Sequence, residues 1–274
     1  MPELPEVETA RRGLVPFMEG RVIRRAVAYR PDLRKPLPRD FAARLTGRRV
    51  LRLDRRSKYL LARLDDGAVL IVHLGMSGSL RAVADPGPAG PHDHVDFVFD
   101  EVTVRFRDPR RFGLMDLARA DTLDRHPLFA KLGPEPLGPE FDGPALASRL
   151  AGRTGPVKSA LMNQGVVAGL GNIYVSESLF LAGISPKRGA GTIRGRRAGA
   201  LAKAIRAVLA RAIEAGGSSL RDHRRPSGEI GLFQHDFQVY DREGGRCRRR
   251  ACSGVIHRIV QAGRATFHCR RCQR

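Results

Sequence analysis

The stretch VDFVFDEVTVRF, residues 95–106, decides how the first half of this chain folds. Apolar and polar residues alternate on either side of the pair Asp100–Glu101. That is the period-two signature of two half-buried strands joined by a turn. The same reading extends in both directions. Strand-like runs occupy 22–29, 50–53, 59–64, 68–74, 95–99, 102–106 and 112–117, with DDG (65–67) as a further turn. One helix precedes them, from Pro5 to about Gly13. Proline fits its first turn, Glu6 and Glu8 favour the positive end of its dipole, and glycine fits the stop. A mainly β half with one leading helix predicts a sandwich.

The chain changes character at LGPEPLGPEFDGP (132–144), a Pro- and Gly-rich stretch that reads as a domain boundary. Helical patterns then cover 145–151, 157–162, 173–181 and 197–215, and GGSSLRDHRRPSGEIG (216–231) is a polar loop. A β-rich tail carries all the cysteines. The expected organisation is α+β and multidomain: an N-terminal domain over 1–134, a linker over 135–144, a helical domain over 145–235 and a small cysteine domain over 236–274. A length of 274 residues is comfortable for this.

The net charge is +21, and of 49 basic residues only six are Lys. A GC-rich genome accounts for Arg over Lys but not for basic over acidic. Such an excess is costly for a compact chain unless a polyanion is near. With no long amphipathic basic helix, nucleic acid is the expected partner rather than membrane. No run approaches the ~18 apolar residues of a membrane span, and the polar N-terminus lacks a secretion signal. The expected location is the cytoplasm.

Cys247, Cys252, Cys269 and Cys272 form C-x4-C-x16-C-x2-C. Two pairs at short spacing around a hairpin-length insert suit tetrahedral thiolate coordination of one structural Zn²⁺. A disulfide framework is unusual in the cytosol. His257 and His268 are rival ligands, but four Cys already complete a shell. The flanking CRRRAC and CRRCQR make the finger basic and suited to phosphate.

The N-terminal MPELPEVET leaves a question open. Pro2 and Pro5 can serve merely to stiffen a helix start. Pro2 can also become an N-terminal secondary amine once Met1 is removed, titrating near pH ~8 against ~10.4 for lysine.

Several separated stretches resemble one family, the formamidopyrimidine-DNA glycosylases, bacterial enzymes that remove oxidised purines from DNA. They are PELPEVET (2–9), RRSKYL (55–60), HLGMSGSL (73–80), HDHVD (92–96), DPRRFG (108–113), GLGNIYVSESLF (169–180) and GRATFHCRRCQR (263–274). They occur in family order over the whole chain. The resemblance implies an N-terminal β-sandwich with a leading helix, a helix-two-turn-helix domain and a Cys₄ zinc finger. It implies a monomeric bifunctional glycosylase and AP lyase of base excision repair, acting on damaged double-stranded DNA through β,δ-elimination. Three positions depart from the family pattern: the longer C-x4-C knuckle, Asn163 in place of the usual Asp, and His223 where an aromatic residue is common.

The resemblance also assigns residues. Pro2 is the nucleophile that attacks the sugar C1′, and the iminium ion of a secondary amine has no N–H to lose, so it stays a cationic electron sink. Glu3 is the general acid for the opened sugar, and Glu6 shapes the lesion pocket. Lys58 contacts phosphate and assists β-elimination, and Arg264 assists δ-elimination. His92, Arg110, Arg153, Lys158 and Asn172 form the phosphate-binding set; His73 either joins them or is an interior histidine. Met76, Arg110 and Phe112 form a wedge that fills the stack after the base is extruded, with Arg110 facing the abandoned cytosine. Two rival readings remain. One is an endonuclease VIII-type enzyme for oxidised pyrimidines, which typically begins PEGPE where this chain has Leu4. The other is a non-catalytic zinc nucleic-acid-binding protein.

Overall fold

A computed structural model describes residues 2–218 and 231–274. The chain divides into two compact units, residues 1–130 with 215–232, and residues 131–214 with 233–274. The expected positions of His223 and of most of the 216–231 loop lie outside the described residues.

The first unit opens with α1 (Leu4–Met18), followed by β1 (Arg25–Ala28), α2 (Phe41–Leu45), β2 (Val50–Arg56), β3 (Tyr59–Leu64), β4 (Ala68–His73), β5 (Ser79–Val83), β6 (Asp93–Val98), β7 (Thr103–Arg107) and β8 (Leu114–Arg119). Two antiparallel sheets form, ordered β1-β6-β7-β5 and β2-β3-β4-β8. Val95, Phe97, Val104 and Phe106 from one sheet share a single core with Leu53, Leu60, Leu70 and Val72 from the other. This is the expected sandwich.

The leading helix is longer than the sequence predicts. Gly13 does not end it, because the buried face continues through Leu14 and Met18. Burying two such side chains is worth about 1.5–3 kcal/mol each, more than the roughly 1 kcal/mol cost of an interior glycine. Polar ties fix its direction against β2. Arg11 Nη1 donates to Leu53 O (3.1 Å) and Leu53 N–H to Glu19 Oε1 (2.6 Å). Glu8 pairs with Arg11, Arg12 and Arg55. Burial alone would raise the Glu8 pKa, but these guanidinium groups outweigh it and hold the carboxylate below its ordinary value.

The second unit contains α3 (Gly143–Leu150), α4 (Val157–Leu161), α5 (Asn172–Ala182), α6 (Gly195–Glu214) and the hairpin β9 (Ile256–Gln261) with β10 (Arg264–Cys269). Leu201, Ile205, Val208, Leu209 and Ala212 make one buried stripe on α6. Helix α5 is buried nearly all round and is the axis of this unit. Residues 162–171 make the two turns between α4 and α5. Gln164 holds them, accepting from Gly169 N–H (2.9 Å) and donating to Leu170 O (2.8 Å). Asn163 Oδ1 accepts from Gly165 N–H (2.8 Å), a bond an Asp oxygen would make equally well. Among the described residues no helix is long and apolar enough to cross a membrane.

Candidate functional site

The start of α1 buries three groups of interest. Pro2, Glu3 and Glu6 are all buried from solvent. Glu3 is the N-cap, and its N–H donates to Glu6 Oε2 (2.8 Å). The other Glu6 oxygen accepts from both the N–H (2.8 Å) and the hydroxyl (3.0 Å) of Ser218. One carboxylate thus joins the N-terminus to a residue 212 positions away. The sequence offers no signal for this partnership. A serine in a Gly-Ser loop is unremarkable until the chain is folded.

Lys58 sits in the tight β2–β3 turn, where Ser57 adopts a positive φ of 56° and Arg55 Nη1 donates to Ser57 O (2.8 Å). Lys58 is itself buried. His73 ends β4. Its pKa is pushed down to about 4 by burial first, and then by the positive charges of Lys58 and Arg34. Its Nδ1 accepts from Gly75 N–H (2.9 Å), and the Tyr59 ring lies 4.9 Å from its own. His73 is half-buried, its neutral form is favoured and its Nδ1 is partnered, features that suit the interior reading of the two expected for it.

Met76 and Phe112, expected as wedge residues, stand 42% and 41% exposed. The Arg110 guanidinium lies 4.9 Å from the centre of the Phe112 ring, within cation–π range. His92 is half-buried just before β6, and its carbonyl accepts from Asp108 N–H (2.9 Å).

In the second unit Lys158 is buried on α4 and Arg153 is exposed. Asn172 opens α5, and its Nδ2 donates to Ala265 O (2.9 Å), tying that helix to the strand where Arg264 stands exposed. Asn172 Oδ1 is buried without a hydrogen-bond partner among the described residues. Sequence reading passes over Glu177. This buried carboxylate on α5 accepts from the N–H groups of Gln238, Val239 and Tyr240 (2.8–3.1 Å). Burial raises its pKa, opposed by those same bonds. It seats the turn that leads into the first cysteine pair. The available signal is a charge inside an otherwise buried helix.

The four cysteine sulfurs lie within 4.8 Å of one another. Cys247 and Cys272 approach to 3.7 Å, as do Cys252 and Cys269. Such a cluster can hold a metal ion. The long first knuckle closes through Ala251, which takes a positive φ of 61°. Gly254 follows, where a Cβ would lie 2.7 Å from Cys269 Sγ. His257 and His268 face each other across the hairpin and are not part of the cluster.

Residues 1–115 match the formamidopyrimidine-DNA glycosylase N-terminal domain, and residues 132–224 the formamidopyrimidine-DNA glycosylase H2TH domain. The formamidopyrimidine-DNA glycosylase of Ruegeria pomeroyi is 57% identical, with all of both chains covered. The crystal structure of the MutM (Fpg) protein from Thermus thermophilus superposes with a TM-score of 0.88 at 42% identity, covering 99% of this chain and 98% of that one. A Lactococcus lactis Fpg point mutant in complex with Fapy-dG-containing DNA superposes at 0.90 with 36% identity, both chains fully covered.

Proposed function

The chain belongs to the formamidopyrimidine-DNA glycosylase family, and from that membership we infer a bifunctional DNA glycosylase and AP lyase of base excision repair that excises oxidised purines from double-stranded DNA. The observation that carries the chemistry is the buried Pro2–Glu3 start, backed by Glu6. Functionally we divide the chain as 1–134 catalytic, 145–235 helical and DNA-binding, and 236–274 finger, acting as a cytoplasmic monomer.

In this reading the Pro2 nitrogen attacks C1′ of the damaged nucleotide. The glycosidic bond breaks and its electron pair leaves with the base. Glu3 protonates the sugar ring oxygen as the ring opens, leaving an iminium ion on Pro2. Water takes a C2′ proton, the C–H electron pair flows into the iminium to give an enamine, and that pair then expels the 3′ phosphate, which Lys58 serves as proton donor. A second elimination, assisted by Arg264, expels the 5′ phosphate. Burial of Glu3 and Lys58 keeps water from levelling these proton transfers. His92, Arg110, Arg153, Lys158 and Asn172 hold the phosphate backbone, which fixes register without reading sequence. Asn172 departs from simple expectation, since its amide N–H₂ already serves Ala265. Its contribution is to anchor the hairpin as well as to bind.

Cys247, Cys252, Cys269 and Cys272 would hold one structural Zn²⁺. Tetrahedral Zn²⁺ with bonds of ~2.3 Å requires sulfurs about 3.8 Å apart. The observed 3.7 Å approaches support that fit. The ion supplies closure of the finger and takes no part in the reaction.

Purified protein on duplexes carrying 8-oxoguanine, dihydrouracil or no lesion tests this reading. Excision of 8-oxoguanine should exceed that of dihydrouracil at least ~10-fold. Preference for dihydrouracil would select the endonuclease VIII-type alternative, and no excision at all the non-catalytic one.

Arg110→Ala should erode discrimination between opposite bases. A bidentate contact to a base edge is worth about 1–3 kcal/mol, so the rate ratio between lesion–cytosine and lesion–adenine duplexes should shrink roughly 10-fold. Equal losses on every duplex would reassign Arg110 to phosphate contact alone.

A further inference from the structure

Asp108 is fully buried at the end of β7, yet neither its charge nor its position enters the chemistry above. Its oxygens are divided between two loops. Oδ1 accepts from the Ser77 hydroxyl (2.6 Å), and Oδ2 accepts from Gly113 N–H (2.7 Å). Ser77 carries the relay further, because its hydroxyl oxygen accepts from Arg110 N–H (3.2 Å). The Asp108 carbonyl accepts from Arg111 N–H (3.2 Å) and lies 2.9 Å from His94 Nε2.

The two loops also touch through backbone. Gly75 has a φ of +65°, and a Cβ there would lie 2.3 Å from the carbonyl carbon of Phe112. Only glycine permits that approach. Arg111 holds a positive φ of 54°, a conformation that costs a non-glycine residue energy and persists when its surroundings fix it. The consequence is visible at the loop tips. Met76 is adjacent to Ser77, and Arg110 and Phe112 flank Arg111. Met76, Arg110 and Phe112 face solvent, while beneath them one carboxylate holds the Ser77 hydroxyl on one loop and Gly113 N–H on the other.

We propose that Asp108, acting through Ser77 and Gly113, is the positioning residue that makes the Met76 loop and the Arg110–Phe112 loop a single preformed wedge. This rests on reading Met76, Arg110 and Phe112 as the groups that fill the stack when a base is extruded. Extrusion has to be matched by immediate filling of the gap. A wedge assembled only on contact would have to order two loops at that moment, which lowers the yield of productive encounters. A preformed wedge avoids that cost. Asp108 touches neither sugar nor base in this arrangement, so its effect is on the extrusion step.

The test compares wild type, Asp108→Asn, Ser77→Ala, Ser77→Thr and Met76→Ala. Two signals are read: stopped-flow fluorescence of a 2-aminopurine beside the lesion, which reports unstacking, and single-turnover base excision. Asp108→Asn removes the negative charge, and its N–H₂ is accommodated only if the Ser77 hydroxyl turns round to accept from it, so both ties lose their charge assistance. Asp108→Asn and Ser77→Ala should each slow unstacking and excision together by about 10- to 100-fold, with affinity for undamaged duplex falling less than about 3-fold because phosphate contacts dominate it. Ser77→Thr keeps the hydroxyl and should restore most of the rate, which also separates positioning from failure to fold. The inference is overturned if Ser77→Ala unstacks the base at the wild-type rate while Met76→Ala does not. It is equally overturned if Ser77→Thr is as slow as Ser77→Ala. If Met76→Ala itself leaves unstacking unchanged, the wedge reading fails and this inference fails with it.

Discussion

Protein that retains Met1 will give no borohydride-trapped cross-link to lesion-containing DNA, whereas protein beginning at Pro2 will cross-link readily. With Met1 attached the Pro2 nitrogen is a tertiary amide, and resonance draws its lone pair into the peptide bond. Freed, it is a secondary amine titrating near pH ~8, so roughly a tenth is neutral at pH 7, several hundredfold more than for an unperturbed lysine. Attack on C1′ gives an iminium ion that borohydride reduces to a stable amine. The difference between the two forms should be all or nothing for trapping, since no residual nucleophile remains at that position. Binding to DNA should survive, because the proposed phosphate set lies elsewhere in the sequence. Pro2→Gly restores an amine, but a primary one whose imine can lose its proton, and it should trap less efficiently. Mass spectrometry establishes which N-terminus is present before the assay. If the Met1-bearing form traps as well as the processed form, the nucleophile is a lysine, with Lys58 the first candidate. The same outcome would demote the Pro2–Glu3–Glu6 cluster to a helix start, the bland reading of MPELPEVET.

What the sequence discloses about this fold is whatever is encoded locally. Strand β3 is legible at its true limits because Tyr59–Leu64 is bounded by a turn on each side. The hairpin β9–β10 is legible from the hairpin-length insert between the two cysteine pairs. Strand β5 (Ser79–Val83) escapes sequence reading because only its first two residues are buried, leaving no alternation to detect. Helix α2 escapes it because five residues carry too little periodicity, and its N-cap Asp40 sits in a left-handed conformation. The sequence cuts helix α1 short at Gly13 because propensity is visible there and the burial of Leu14 and Met18 is not.

The candidate site divides the same way. Cysteine spacing is local chemistry and can be read directly. The motifs point to individual residues through resemblance to a family. The partnerships that organise them are long-range and silent in sequence: Glu6 with Ser218 across 212 positions, Ser77 with Asp108 across 31, and Glu177 with Gln238 across 61. Each pairs an acidic side chain with donors whose identity (a hydroxyl or a backbone N–H) carries no signature. Asn172 shows the same gap from the other side: its motif suggests a phosphate contact, while the bond of its N–H₂ to Ala265 O, 93 positions away, carries no signature in sequence.

Cys272→Ser should release the metal and melt part of the finger. The apolar support there is thin, resting on Phe180, Val239, Ile256 and Phe267 beside the buried thiols Cys247 and Cys269. Structural zinc contributes apparent binding energies of about 10–16 kcal/mol, far more than so few side chains can replace. Elemental analysis should find close to one zinc per intact chain, and after the substitution less than about a fifth of that. The loss should be uneven. The C-terminal end is pinned independently of any metal, with Gln273 donating to Ile184 O (2.9 Å) and accepting from Cys269 N–H (2.8 Å), and Arg274 N–H donating to Gly183 O (3.0 Å). The first knuckle is tied to the rest of the unit through long side chains, Arg248 to Phe237 O (2.9 Å) and Arg249 to Phe180 O, and includes the positive-φ Ala251. Hydrogen exchange should therefore accelerate most over 247–256, less over 269–274, and not at all in α1 or the sheets of the first unit. Arg264 follows the hairpin, so strand cleavage should stall after β-elimination, with product still bearing the sugar remnant on its 3′ end. Intact protein free of zinc would refute the metal assignment outright. A Cys272→Ser protein that keeps stoichiometric zinc would mean that a histidine, His257 or His268, completes the shell in its place.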